Sequence, residues 1–472
     1  MNLMMPSTFT FFSMAPNPCG VRVFAAEAAL IDAGTALTGG GKIADELRVA
    51  GRALREAGWQ PAARFVDTLL FVSPVVSGDV MPAAPGSDTA SLRALFNDAL
   101  QAFCAALTRG NLRELACSFT LFSWQRALYD ALAAYAPGLA LSFGDVALSG
   151  RIVLPSLLQA PSMQAFAGLR ARYEAALLSM LRAPAQVDEA CDELNACLAV
   201  LAMASAHPYS FWRLAAACGR ALHRDTQNDA TLEALRRQFY AHCNLALAGC
   251  AQGQPLAPQP LVRETLALLW RDVTLARAMK QHVEGMDVDI LSDHGLTVES
   301  PAMSDALSGA VHLPEPGKVD ALPAEDVKRC ALGALSVNAN AHENFLSVAD
   351  EAMQALLDVQ HAQAGTAQGD AFRAAEAACR LGAAALTLGL GHISLLAESL
   401  GLAWRLTAHA RMASNPAHIT APDAGALEQA SNTLQAMLLK VAAGVAQPDA
   451  TGAMAMLGDA IDRATRQVAV AA

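Results

Sequence analysis

Few residues in this chain have the type and spacing for chemistry, and each has a quieter reading beside it. Cys379 opens the stretch CRLGAAALTLGLGHISLLAESL, which runs to Leu400. A thiolate there would be a nucleophile if a base or a helix N-terminus lowered its pKa. No motif places a histidine beside it, and it reads as a small apolar residue on an Ala-rich helix. His392 follows the corner Gly389-Leu390-Gly391 and reads as a capping or packing residue. His361 ends a helical run, where a cation favours the C-terminal carbonyls. Glu284, Asp287, Asp289, Asp293 and His294 form the densest set of hard ligands, but EGMDVDILSDHG lacks the fixed spacing and closing Glu of a calcium loop. They read as a solvated acidic linker. TGGGK at 38–42 fails as a phosphate loop, because Ile43 stands where Ser or Thr is required and no strand precedes it. The expectation is no catalytic residue, no cofactor and no metal.

Composition narrows the class further. The 472 residues carry 33 Lys plus Arg against 44 Asp plus Glu, a net charge of −11, with the basic residues scattered rather than clustered. A phosphate-tracking nucleic-acid surface is therefore not expected. The hydrophobic share is 54%, much of it Ala, yet no run of 18 apolar residues escapes a charge, Gly or Pro, which argues against a membrane span. The apolar start MNLMMPSTFTFFSMAPNPCG has no positive n-region, and Pro6 comes early, so it is read as a tail and not a signal peptide. Ten cysteines occur without any C-x-x-C, which suits reduced, buried thiols in a cytoplasmic protein.

Ala, Leu and Met dominate and β-branched runs are scarce, so the fold class expected is all-α, a set of antiparallel helical bundles. The boundaries read from Gly/Pro clusters and periodicity are a tail at 1–20, a helical domain at 21–76, a linker at 77–91 and a helical connecting region at 92–161. A central bundle at 162–283 follows, then a flexible acidic linker at 284–325, a four-helix bundle at 326–446 and a C-terminal helix or tail at 447–472. In the connecting region, RIVLPSLL reads as a short extended piece. In the central block Phe166, Leu169, Tyr173, Leu177 and Met180 recur at steps of three and four, one stripe of a helix. In the last bundle the four stripes begin at Phe345, Phe372, Ile393 and Leu427.

Two distant segments share one pattern. Placing Gly58 on Gly389 without a gap brings Gly51 onto Gly382, Trp59 onto Leu390, Phe65 onto Leu396, Asp67 onto Glu398 and Leu69 onto Leu400. This helix, corner and helix resemble the histidine phosphotransfer (Hpt) domain, whose central helix carries H-x-x-K-G and then a Gly-apolar corner. The resemblance implies a phosphoacceptor position at Cys379 with Gly382 in the lysine place, and at Arg48 with Gly51. Neither Cys379 nor Arg48 can be a phosphohistidine, and His392 lacks the lysine-glycine context. The corner residues are Gly58 and Trp59, and Gly389 and Leu390.

The central block, with RARYEAALLSMLR, HPYSFWRLAAACGRAL and LRRQFYAHCNLALAG, resembles the region between degenerate Hpt-like domains in the chemosensory histidine kinases of type IV pilus systems, and their kinase-less FimL-type relatives. A kinase would need H-E-x-x-x-N and a Gly-rich lid; His342-Glu343-Asn344 begins the box, but Ser347 stands at its last position and no G-x-G-x-G follows. The FimL-type resemblance implies a non-catalytic adaptor that regulates twitching motility and second-messenger output. It would dock a response regulator, kinase or polar scaffold on exposed faces around Cys379 and Arg48. The rival readings are a relay that uses His392 or His361, and an unrelated helical scaffold.

Overall fold

The computed structural model describes residues 19–20, 23–39, 41–78, 89–109, 119–135, 147–148, 151–159, 163–182, 187–205, 207–224, 230–278, 281–298, 329–332, 335–361, 368–412, 420–445 and 450–471. The fold is all-α, with sixteen helices among the described residues and one small sheet that the sequence reading did not foresee.

Helices α1 (Phe24–Gly39), α2 (Ile43–Glu56), α3 (Gln60–Val76) and α4 (Thr89–Arg109) pack in a ring, each against the next and α4 back on α1. Helix α2 shows why: Ile43, Leu47, Ala50, Gly51 and Leu54 fall on one buried stripe, acidic residues occupy its first turn and Arg55 its last. The expected boundary at 76 is corrected here, because α4 lies beyond the Gly/Pro-rich stretch and closes the ring, its Phe103 stacking on Phe65 of α3 at 4.6 Å. That stretch itself, 79–88, is outside the described residues. Helix α5 (Phe119–Tyr135) packs on α3 and α4.

The central helices are α6 (Met163–Arg182), α7 (Val187–Ala204), α8 (Phe211–Arg224), α9 (Ala230–Ala251), α10 (Gln259–Ala278) and α11 (Gly285–Asp293). They enclose one hydrophobic core around Tyr173, Trp212 and Tyr240, and the core continues to Leu291 and Leu296. The stretch RIVLPSLL is non-helical and pairs through Leu157 with Ser210 and Leu256. The linker expected at 284–325 is corrected over its first part: 285–293 is helical, with Asp287 and Asp293 buried. Acidic residues looked solvated because their counter-ions lie far away in sequence; 299–325 falls outside the described residues.

Helices α12 (Ala339–His361), α13 (Gln368–Thr387), α14 (Gly391–Met412) and α15 (Ala424–Ala442) form a second ring of four with the same order of neighbours as α1 to α4. Asp423 caps α15 by accepting from the Ala426 amide at 3.1 Å. Helix α16 (Thr451–Ala471) covers α14 and α15. Strand β1 (Cys19–Gly20), in the expected tail, pairs with β3 (Leu335–Asn338), which pairs with β2 (Arg329–Leu332), all antiparallel. The two end bundles are not separate domains: Leu30, Leu47, Phe96, Phe345, Leu381 and Leu434 belong to one continuous core. The central block is inserted between them with a core of its own.

The two end bundles meet corner to corner. A Cβ at Gly391 would stand 2.2 Å from the Gly58 carbonyl oxygen, so only glycine permits the approach. Gly391→Ala should therefore lower the unfolding free energy by about 2 kcal/mol, whereas Gly168→Ala, at a helical position with open space, should change it by less than about 1 kcal/mol. Urea denaturation of the two variants checks this; equal midpoints would show that the corners do not touch.

Candidate functional site

The matched corners have the same backbone. Gly58 and Gly389 both have φ of 77°, in the left-handed region that favours glycine. Behind each, the next amide reaches back five residues: Trp59 N to Leu54 O at 2.9 Å, and Leu390 N to Ala385 O at 2.8 Å. Both Trp59 and Leu390 are buried, which pins the start of the following helix.

The faces that would carry the phosphoacceptor are less open than expected. Arg48 is exposed and paired with Asp45 at 2.6 Å. Gly51 is buried, and a Cβ there would meet Val66 at 3.5 Å. Gly382 is buried too, with Glu398 Cγ 3.2 Å from where its Cβ would stand. Cys379 is half-buried, with its Sγ 2.8 Å from where a Cβ on Gly401 of α14 would stand. The expectation of an exposed face around Cys379 and Gly382 is corrected: α13 turns that side towards α14, because small residues there let the two helices close. Burial pushes the Cys379 thiol up to about 11, so at neutral pH it is protonated and a poor nucleophile. His392 is half-buried beside its corner, and the side chain of His361 is outside the described residues.

The most concentrated electrostatics lie where the end bundles meet the central block. Glu398, 2% exposed, pairs with Arg151, whose side chain is 6% exposed, and accepts from the Thr297 hydroxyl. Trp270 of α10 donates its indole N–H to the Thr297 carbonyl at 3.0 Å. Its ring carries Arg151 at 4.6 Å and Arg64 of α3 at 5.6 Å, measured from Cζ to the centroid. Burial first, then Arg151 and Arg271, lower the Arg64 pKa. One carboxylate thus joins both end bundles to the central block. Its counterpart in the repeat, Asp67, instead pairs with Arg55 inside its own bundle.

A second buried carboxylate lies on the same seam. Asp293 accepts from Arg405 Nη1 at 2.9 Å, and His409 Nε2 stands 3.2 Å from the same oxygen. Burial alone would raise the Asp293 pKa, but the His409 hydrogen bond and the charges of Arg405 and His409 outweigh it and lower it. The Tyr209 ring meets His294 and His409 edge-on at 5.7 and 5.6 Å. Two further anchors hold the central block. Arg220 and Arg224 of α8 reach Asp287 at 2.5 and 3.2 Å, and Arg126 of α5 reaches Glu264 at 2.9 Å and Gln238 at 2.7 Å.

Sequence reasoning missed Glu398, Arg151, Trp270 and Tyr209 as members of one site. One signal was present: Glu398 is the single charged residue in ISLLAESLGLAW, and an isolated carboxylate in an apolar helix must find a cation. Its partner could not be read, since Arg151 is 247 residues away. Among the described residues no group of three His, Cys, Asp or Glu could hold a metal ion, and no helix is long and apolar enough to cross a membrane.

Two outcomes follow from these burials. Glu398→Ala leaves Arg151 buried without its counter-ion and should lower stability by about 3 to 5 kcal/mol in urea unfolding. His294 is 1% exposed, and burial lowers its pKa from 6.5 to about 4. Between those values the unfolded chain binds a proton that the folded chain refuses. Its contribution is therefore complete above about pH 6.5 and falls by up to about 3 kcal/mol as the pH drops to 4. His294→Gln should remove that part of the pH dependence; an unchanged slope would show that the imidazole is not desolvated. Comparison with known protein families, with curated proteins and with solved structures finds no match to this chain.

Proposed function

We propose that this chain is a non-enzymatic scaffold, built on two degenerate phosphotransfer-like bundles, that binds protein partners without accepting phosphate. The observation that carries the reading is a pairing of geometry with residue type. Two four-helix rings share the same wiring and the same glycine corner, and at the positions that the Hpt resemblance assigns to the histidine the chain has Arg48 and Cys379. Neither side chain can form a phosphohistidine, and the half-buried thiol, protonated at neutral pH, is a poor nucleophile. What such a bundle keeps is its shape, which a receiver domain or a polar scaffold protein would recognise. The FimL-type resemblance extends the reading to a type IV pilus chemosensory pathway in the cytoplasm, acting on twitching motility and second-messenger output. On the N-terminal bundle the exposed Arg48, with its Asp45 partner, is the accessible part of the docking face.

The full chain, incubated with acetyl phosphate and separately with a histidine kinase and its ATP, should take up no acid-labile phosphate. Label mapped to His392 or His361 would overturn the scaffold reading in favour of a working relay. In a binding assay against purified receiver domains, Arg48→Glu should weaken the complex at least about tenfold while changing stability by no more than about 0.5 kcal/mol.

A further inference from the structure

Helix α14 devotes one whole stripe to the rest of the chain. Gly391, Glu398, Leu402, Arg405 and His409 recur at helical spacing. Gly391 abuts the Gly58 carbonyl of the N-terminal corner. Glu398 takes Arg151 and Thr297, Leu402 lies where a Cβ on Gly295 would come within 2.8 Å, and Arg405 and His409 hold Asp293. The last three contacts all come from the central block or the segments that flank it. Cys379 stands beside this stripe, its Sγ against Gly401 and its surroundings charged by Arg405, Glu398 and Asp293.

From this geometry we infer that this stripe of α14 is closed by the chain's own central block, through two carboxylate clasps at Glu398 and Asp293, and that a protein partner gains the stripe only when the clasps release. The partner half of the statement rests on the docking reading above; the closure does not.

Three observations make the contact one that can open. The central block has a hydrophobic core of its own, and among the described residues only Leu154 and Tyr209 of that block and its flanking segments enter the core of the end bundles, so parting them uncovers little apolar surface. What spans the seam is charged and aromatic, the composition of contacts between domains that move. The closed state also buries polar atoms without a hydrogen-bond partner among the described residues, the Tyr209 hydroxyl and His294 Nδ1, which water would satisfy on opening. The backbone of α11 is tied to the central block through Asp287 with Arg220 and Arg224, so it would leave with that block.

Alkylation of the full chain by N-ethylmaleimide, read at each cysteine by peptide mass spectrometry, tests the closure. Asp293→Asn and Glu398→Gln should each speed modification of Cys379 by about tenfold or more, while Cys218 and Cys243, fully buried in the central core, keep their wild-type rates. An unchanged Cys379 rate, or a rise that Cys218 and Cys243 share, would overturn the clasp, the second because it reports unfolding and not opening. If neither variant folds, hydrogen exchange of residues 391–412 in the wild-type chain decides. Exchange through a partial opening with a small denaturant dependence supports the closure, and exchange only through global unfolding rejects it. No partner is needed in either assay, so failed receiver binding would leave the closure standing, and uniform cysteine labelling would leave the docking reading standing.

Discussion

Much of this molecule hangs on a single buried carboxylate. Glu398 has its charge met by Arg151 and one oxygen hydrogen-bonded by Thr297, beneath a tryptophan that carries two guanidinium groups. The elements it joins come from every large piece of the chain: α3 through Arg64, the connecting segment through Arg151, the central block through Trp270, and α14 itself. A carboxylate taken out of water is tolerable only when its partners are in place. Glu398 therefore specifies how the pieces meet more than it adds to their stability. Gly382 is small because the Glu398 side chain runs past it, with Cγ 3.2 Å from where a Cβ would stand, a structural reason for glycine at the position that the Hpt resemblance assigns to a lysine.

The repeat shows how one scaffold position serves two ends. Asp67 and Glu398 match in the repeat, each on the helix that directly follows its glycine corner. Asp67 stays half-buried and closes on Arg55 within its own bundle. Glu398 is one methylene longer and is surrounded by apolar neighbours, and it reaches outward to a cation that the N-terminal copy does not need. Symmetric in backbone, the two bundles diverge in electrostatics, and the divergence directs the central block to the C-terminal one.

The seam differs from the cores it separates. Leu and Phe packing within each core is non-directional and tolerates many sequences. The seam is built from Asp293, Glu398, Arg405, His409 and Tyr209, whose contacts demand position and angle. A chain arranged in this way keeps two rigid bodies and one specific, polar boundary, which is where motion and recognition meet most easily.

The sequence alone determined the helical class, the stripes of α12 to α15 and the two glycine corners, because these rest on local rules. Apolar residues recur at 3.6, and a positive φ at the end of a helix selects glycine. It also determined that no histidine stands at the two matched positions. Tertiary structure decided the rest. That α4 completes the first ring, that residues near position 20 pair with strand β3, and that 285–293 is a docked helix all depend on partners far along the chain. EGMDVDILSDHG looked like a solvated linker because nothing local reveals that Arg220, Arg224, Arg405 and His409 will surround its carboxylates. Burial of a charge is set by where its counter-ion arrives, and only the folded chain brings Arg151 to Glu398.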